Sequence, residues 1–172
     1  MVSRYALLLA LAIAPFGAAA APDSWTVTID GPHISARGCV PPSGDDGWGR
    51  ICLFYYCMPP VRSGYSGLLD VDYVGIDELE MFEEIEELRL GILIDDIPYG
   101  EVSLTRAEDD WQQYLFPQDW NHDALVTALR AGHDLTLRAL PVPGWPMPPD
   151  MHISLAKSNH ALGTMLSHCP PE

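Results

Sequence analysis

Basic residues are scarce in this sequence. Its 172 residues include 9 Lys and Arg against 24 Asp and Glu, a formal net charge of −15 with histidine neutral. So few cations cannot form the basic patch that phosphates attract, which argues against nucleic acid and against anionic membrane surfaces as partners. Long apolar runs are lacking too. The uninterrupted stretch Tyr5–Ala14 is ten residues, well short of the roughly 20 that a membrane-spanning helix needs. The chain has no His-x-His and no His-Glu-x-x-His. His160 and His168 are eight positions apart, about 12 Å along a helix axis, too far to close on one ion. All six histidines, these two with His33, His122, His133 and His152, read as solvated surface residues. Gly64-Tyr65-Ser66-Gly67 lacks the second glycine of a nucleophile elbow. Asp70-x-Asp72 followed by Gly75 fails as a calcium loop, because its fifth position is Val74 and its twelfth is Met81, where a bidentate Glu is required. No metal and no cofactor are expected.

What is present begins with an export pattern. Arg4 supplies a positive start, Tyr5–Ala14 an apolar stretch, Pro15-Phe16-Gly17 a break, and Ala18-Ala19-Ala20 a small-x-small cleavage site. Residues 1–20 are read as a signal peptide and 21–172 as a single exported β-rich domain of ordinary size. Cleavage after Ala21 is disfavoured because Pro22 would come first. No cysteine lies near the cut, so no lipid anchor is expected there and no membrane anchor after cleavage. Removing Arg4 leaves 8 cations against 24 carboxylates, a net charge of −16. The expected location is the periplasm or the extracellular space. All four cysteines, Cys39, Cys52, Cys57 and Cys169, lie in the mature part, and an even number in a small exported domain reads as a disulfide framework with three possible pairings.

Residues 24–29, 50–57, 67–76, 87–95, 101–106, 133–140 and 151–156 show strand character, with 111–116 a weaker candidate. The segment 39–52 reads as a Pro- and Gly-rich loop, 95–100 as a hairpin turn, and the Pro-rich 141–149 as extended. Residues 76–88 fit either a helix or an edge strand. Helix punctuation appears over 119–132, with Asp or Asn at the start, an apolar face of Ala124, Leu125, Ala128 and Leu129, and Gly132 at the end. A last helix over 159–169 is expected to be capped by Ser158, with Leu162, Met165, Leu166 and Cys169 on one face. The expected fold is mainly β: a β-sandwich or open barrel of about seven strands with two short peripheral helices, stapled by disulfides.

The pairing of the cysteines follows from strand geometry. In a strand, Cys52 and Cys57 point to opposite faces about 16 Å apart, whereas a disulfide tolerates Cα separations only to about 7 Å. They can neither bond to each other nor share a metal. Cys39 and Cys52 flank a loop able to fold back as a hairpin. Cys57 shares the more apolar face with Ile51, Leu53 and Tyr55, and Cys169 continues the apolar face of the last helix. The expected pairs are Cys39–Cys52 and Cys57–Cys169; Cys39–Cys57 with Cys52–Cys169 is the alternative.

Two surface features suggest function. Asp77, Glu78, Glu80, Glu83, Glu84, Glu86 and Glu87 form an acidic run without a cation, a solvated face that also suits docking of a basic partner. Adjacent carboxylates at Asp95-Asp96 and Asp109-Asp110 are the type of residue glycoside chemistry uses, although neighbours usually point apart. Trp111, Trp120 and Trp145 lie near acidic or Pro-rich loops.

The second half of the chain carries a resemblance. Ala128–Gly132 ends a helix in Ala-Gly, Leu135–Leu137 follows as a strand, Ser154–Ser158 reads Ser-Leu-Ala-x-Ser, and Ala161-Leu162 opens a final helix. This cadence, with Trp25-x-Val27 near the start, resembles small exported proteins of the invasion-associated locus B type and their uncharacterised alphaproteobacterial relatives. It covers about a third of the chain, and Thr28 stands where members of that family often have cysteine. The resemblance implies a periplasmic or secreted, β-rich, non-enzymatic protein linked to host contact, and it supplies no catalytic residues. The expected function is therefore a non-catalytic exported acidic binding or envelope protein contacting a cationic protein partner or a host. The alternative is a secreted hydrolase using carboxylates or a bound divalent metal, and a purely structural envelope role is a third reading.

Overall fold

Alternation of buried and exposed side chains sets the strands of a computed structural model, which describes residues 25–40, 50–59, 62–71, 85–108, 112–141 and 150–169. Its elements are β1 (Thr26–Asp30), β2 (His33–Val40), β3 (Ile51–Met58), β4 (Arg62–Val71), β5 (Glu87–Ile94), β6 (Ile97–Arg106), β7 (Gln113–Leu115), α1 (His122–Ala131), β8 (Asp134–Ala139), β9 (Met151–Ser154) and α2 (Ser158–His168). The nine strands form one open antiparallel sheet in the order β1-β2-β3-β4-β7-β6-β5-β8-β9. The protein is mainly β with two short helices and two disulfides, as the sequence predicts.

The sheet consists of two antiparallel halves, β1–β4 and β6-β5-β8-β9, spliced by the three residues of β7. Leu68, Leu69 and Asp70 face Leu115, Tyr114 and Gln113 on one side of the splice. Thr105 and Arg106 face Leu115 and Tyr114 on the other. The sheet curls, and Trp25 N just before β1 donates to Ala156 O just after β9 at 3.1 Å, drawing the two edges together. Inward residues of both halves share one core, including Leu53, Tyr55, Leu69, Leu90, Ile92, Leu104, Tyr114, Leu135 and Leu137, none more than 1% exposed. Leu125, Val126 and Leu129 of α1 and Ala161, Leu162 and Met165 of α2 pack on that core. Leu125, Leu129, Leu162 and Met165 are on the predicted faces, whereas Val126 and Ala161 join them and Ala124, Ala128 and Leu166 are only half-buried.

Three local expectations change. The segment 39–52 is not loop throughout: Cys39 and Val40 belong to β2, paired with Cys52 and Ile51, while 41–49 lie outside the described residues. Ser158 is not the cap of α2. Lys157 occupies that position with φ +67 and gives no side-chain cap, because the Ser158 hydroxyl turns inward and donates to Leu129 O of α1 at 2.7 Å. The hairpin turn shrinks to Asp95-Asp96 between Ile94 and Ile97. Both have positive φ, +52 and +63, which is the signature of a type I′ turn. For α1 the punctuation holds. Asn121 Oδ1 accepts from Ala124 N at 3.0 Å, and Gly132 N donates to Ala128 O at 2.9 Å.

Candidate functional site

The disulfides join the predicted partners. Cys39 and Cys52 are opposite each other in the β2–β3 ladder. Cys57, on the other face of β3, receives Cys169 from the end of α2, with Cα atoms 6.1 Å apart. Two disulfides of this kind point to an oxidising, non-cytoplasmic compartment.

Of the predicted acidic run, Glu86 and Glu87 are exposed at the head of β5, and Asp77, Glu78, Glu80, Glu83 and Glu84 lie outside the described residues. Residues 1–20, the predicted signal, also lie outside them, as do Asp109-Asp110, Trp111 and Trp145. Glu86 accepts from Arg106 at 2.9 Å and Glu101 from Arg89 at 3.1 Å. Asp150 takes Arg138 on both carboxylate oxygens. Asp95 is not an isolated carboxylate. Its Oδ1 accepts from His133 N at 2.8 Å and Asp134 N at 2.9 Å, and its Oδ2 lies 3.4 Å from His133 Nδ1. These bonds, from Asp134 and His133 backbone first, lower the Asp95 pKa. His33 sits at the β1–β2 turn, His152 on β9 against Thr136 Oγ1 at 3.0 Å, and His160 and His168 on α2. Among the described residues no three His, Cys, Asp or Glu side chains gather as metal ligands.

Five of the histidines are exposed, as predicted; the sixth, His122, is half-buried at the first position of α1. Its ring lies 6.0 Å from Tyr55, 6.4 Å from Tyr65 and 6.0 Å from Phe116 between centroids. The Tyr55 and Tyr65 rings meet it edge-to-face, a favoured arrangement for aromatic neighbours, and Phe116 meets it at a tilt of 59°. Two strand irregularities accompany the cluster. Between the pairs Tyr56–Ser66 and Met58–Arg62, one β3 residue faces three of β4, ending at Tyr65. Between Ile92–Gly100 and Leu93–Pro98, Tyr99 of β6 has no opposite residue. Such bulges re-aim side chains. Tyr65 donates a short hydrogen bond to Asp123 Oδ1 in the first turn of α1.

Electrostatics keep this cluster largely uncharged at neutral pH. His122 Nε2 lies 3.2 Å from Pro117 O; a carbonyl only accepts, so Nε2 carries the proton and Nδ1 the lone pair. Burial lowers the His122 pKa. Burial, with the phenols of Tyr65 and Tyr99 nearby, raises that of Tyr55, and burial together with the bond to Asp123 raises that of Tyr65. Tyr55 Oη, Trp120 Nε1 and His122 Nδ1 are buried without a hydrogen-bond partner among the described residues. The arrangement suits locking α1 to the sheet through aromatic packing on His122 and the Tyr65–Asp123 hydrogen bond. Sequence reasoning missed it because its members come from five separated segments; the pair Trp120 and His122 around the Asn121 cap is the one local signal.

Beside Tyr99 a groove of about 290 Å³ opens between the β5–β6 hairpin and the C-terminal half of α1. Ile94, Ile97, Pro98, Ala128 and Ala131 line it, with Asp95 at its edge. Gly132 closes its end, where a Cβ would come within 2.6 Å of Ile94 Cγ2. Compared with family models, curated proteins and solved structures, the chain matches none.

Proposed function

We propose that this is an exported, non-catalytic binding protein of the periplasm or extracellular space that docks a cationic protein partner through its acidic surface. The observation that carries the reading is the surplus of carboxylates over cations, 24 against 9, together with the way the arginines are used. Arg89, Arg106 and Arg138 already face Glu101, Glu86 and Asp150 of the same chain, so these cations do little to offset the remaining negative field. A field of one sign steers an oppositely charged partner and raises its association rate. The disulfide framework supports residence in an oxidising compartment, and the export pattern of residues 1–20 supports passage to it. The resemblance of 128–162 to the invasion-associated locus B type supports host contact as the setting.

The test is capture on immobilised protein from periplasmic and host extracts at low and high salt, followed by the association rate of each captured partner against ionic strength. Basic partners whose capture weakens as salt shortens the range of the field support the reading. Capture that is indifferent to salt, or of acidic proteins only, overturns it.

A further inference from the structure

The groove beside Tyr99 has the anatomy of a docking point, and we infer that it anchors the cationic partner by taking an apolar side chain from a basic segment of that partner. This deepens the proposed function and rests on it. At about 290 Å³ the groove falls just below the roughly 300–1,000 Å³ of small-molecule pockets, a size suited to one or two side chains of a protein segment.

Its lip is apolar and exposed. Ile97 is 69% accessible, directly after the Asp95-Asp96 turn where solvent-facing residues are normally polar. Acidic residues adjoin that lip along the chain: Asp95 lines the groove, Asp96 completes the turn before Ile97, and Asp134, at the start of β8, donates its N–H to Asp95. An apolar centre with a charged rim is how protein interfaces are commonly built. The rim selects the occupant, because Lys or Arg on either side of an inserted Leu or Phe would meet Asp95, Asp96 and Asp134, whereas an acidic segment would be repelled. The walls are also pre-shaped. The type I′ turn holds the hairpin, Asp95 Oδ1 bonds it to the α1–β8 connection through two N–H groups, and Gly132 lets Ile94 close on the helix end. Little ordering is left to oppose binding.

The experiment uses the exported, oxidised protein and two labelled synthetic peptides of equal length and charge, one of Leu and Lys, the other of Ser and Lys. Binding is read by fluorescence anisotropy at low salt. The Leu/Lys peptide is expected to bind about tenfold or more tighter than the Ser/Lys peptide, a difference the burial of one large apolar side chain readily supplies. Ile97→Ser, which removes the lip, and Ala131→Phe, which fills the groove, should each abolish that preference while leaving Ser/Lys binding unchanged. Both positions are exposed, and an unchanged melting temperature verifies each fold. Equal binding of the two peptides, or a preference that survives both variants, overturns the groove as anchor and leaves the acidic docking surface standing. Failure of both peptides to bind overturns the cationic-partner reading and the anchor together.

Discussion

Removing the two disulfides one at a time should produce unequal losses, because the loops they close differ in length and share no residue. Cys39–Cys52 spans a sequence separation of 13 and Cys57–Cys169 one of 112. Loop-closure entropy in the unfolded chain assigns about 3 kcal/mol to the first and about 4.7 kcal/mol to the second. Packing acts in the same direction. Cys57 and Cys169 are each 3% exposed within the core, whereas Cys39 is only half-buried, so the long-range pair also loses more buried surface. Paired variants Cys39→Ala/Cys52→Ala and Cys57→Ala/Cys169→Ala, unfolded in urea, test the order. With a slope of about 2 kcal/mol/M, the midpoint should fall by about 1.5 M for the short loop and somewhat more than 2 M for the long one. The slope itself should rise in the second variant, because its unfolded chain is less restrained and exposes more surface. Because neither loop contains the other, the two losses should add to about 8 kcal/mol when both pairs are removed. That is a large share of the 5–15 kcal/mol available to a typical domain, and the fully reduced chain should be marginal. If the short-loop variant loses as much as the long-loop variant or more, chain entropy is not what these bonds supply.

Other perturbations address the helices and the titrating groups. Ser158→Ala leaves Leu129 O without the donor it has at 2.7 Å in a buried setting. It should cost about 1–2 kcal/mol in urea unfolding, and a change within error would return Ser158 to a passive place on α2. Stability against pH should show a plateau with both limbs assigned. The His122 pKa is lowered from 6.5 by burial. The unfolded chain therefore binds that proton first, and stability declines as pH falls from 6.5 towards the folded value. Asp95 and Asp150 are lowered from 3.8, by backbone N–H bonds and by Arg138 respectively; what they contribute is present above pH 3.8 and is lost as pH drops through their folded values. On the alkaline side burial raises Tyr55, Tyr65 and Tyr99, and pushes Tyr114 up from 10.0 to about 12. Stability should therefore fall as pH climbs above 10. Melting temperatures across the range, with the His122 ring followed by NMR, measure both limbs; a maximum well below pH 6.5 would contradict them.

How far the fold is legible depends on where alternation is carried by large side chains. β3 and β5 read clearly because Leu53, Tyr55, Leu90 and Ile92 mark one face, and that face alone decides where Cys57 must look for its partner. β2 is nearly silent. Its inward positions run Ile34, Ala36, Gly38, and Gly38 is bare because Trp25 covers it; a Cβ there would lie 2.4 Å from the indole. A long-range contact thus removes the local signal for the strand that makes it. The same holds for Ser158, whose sequence position suggests a cap while a carbonyl 29 residues away claims its hydroxyl. The sites divide along this line. Net charge is a sum over residues and needs no structure, so a cationic partner can be anticipated from composition. The groove depends on Ile97 and Ala131, brought together by a hairpin turn and by the bare approach of Gly132 to Ile94. No spacing along the chain encodes that approach, so the charge that would attract a partner is written in the sequence and the place that would hold it is written only in the fold.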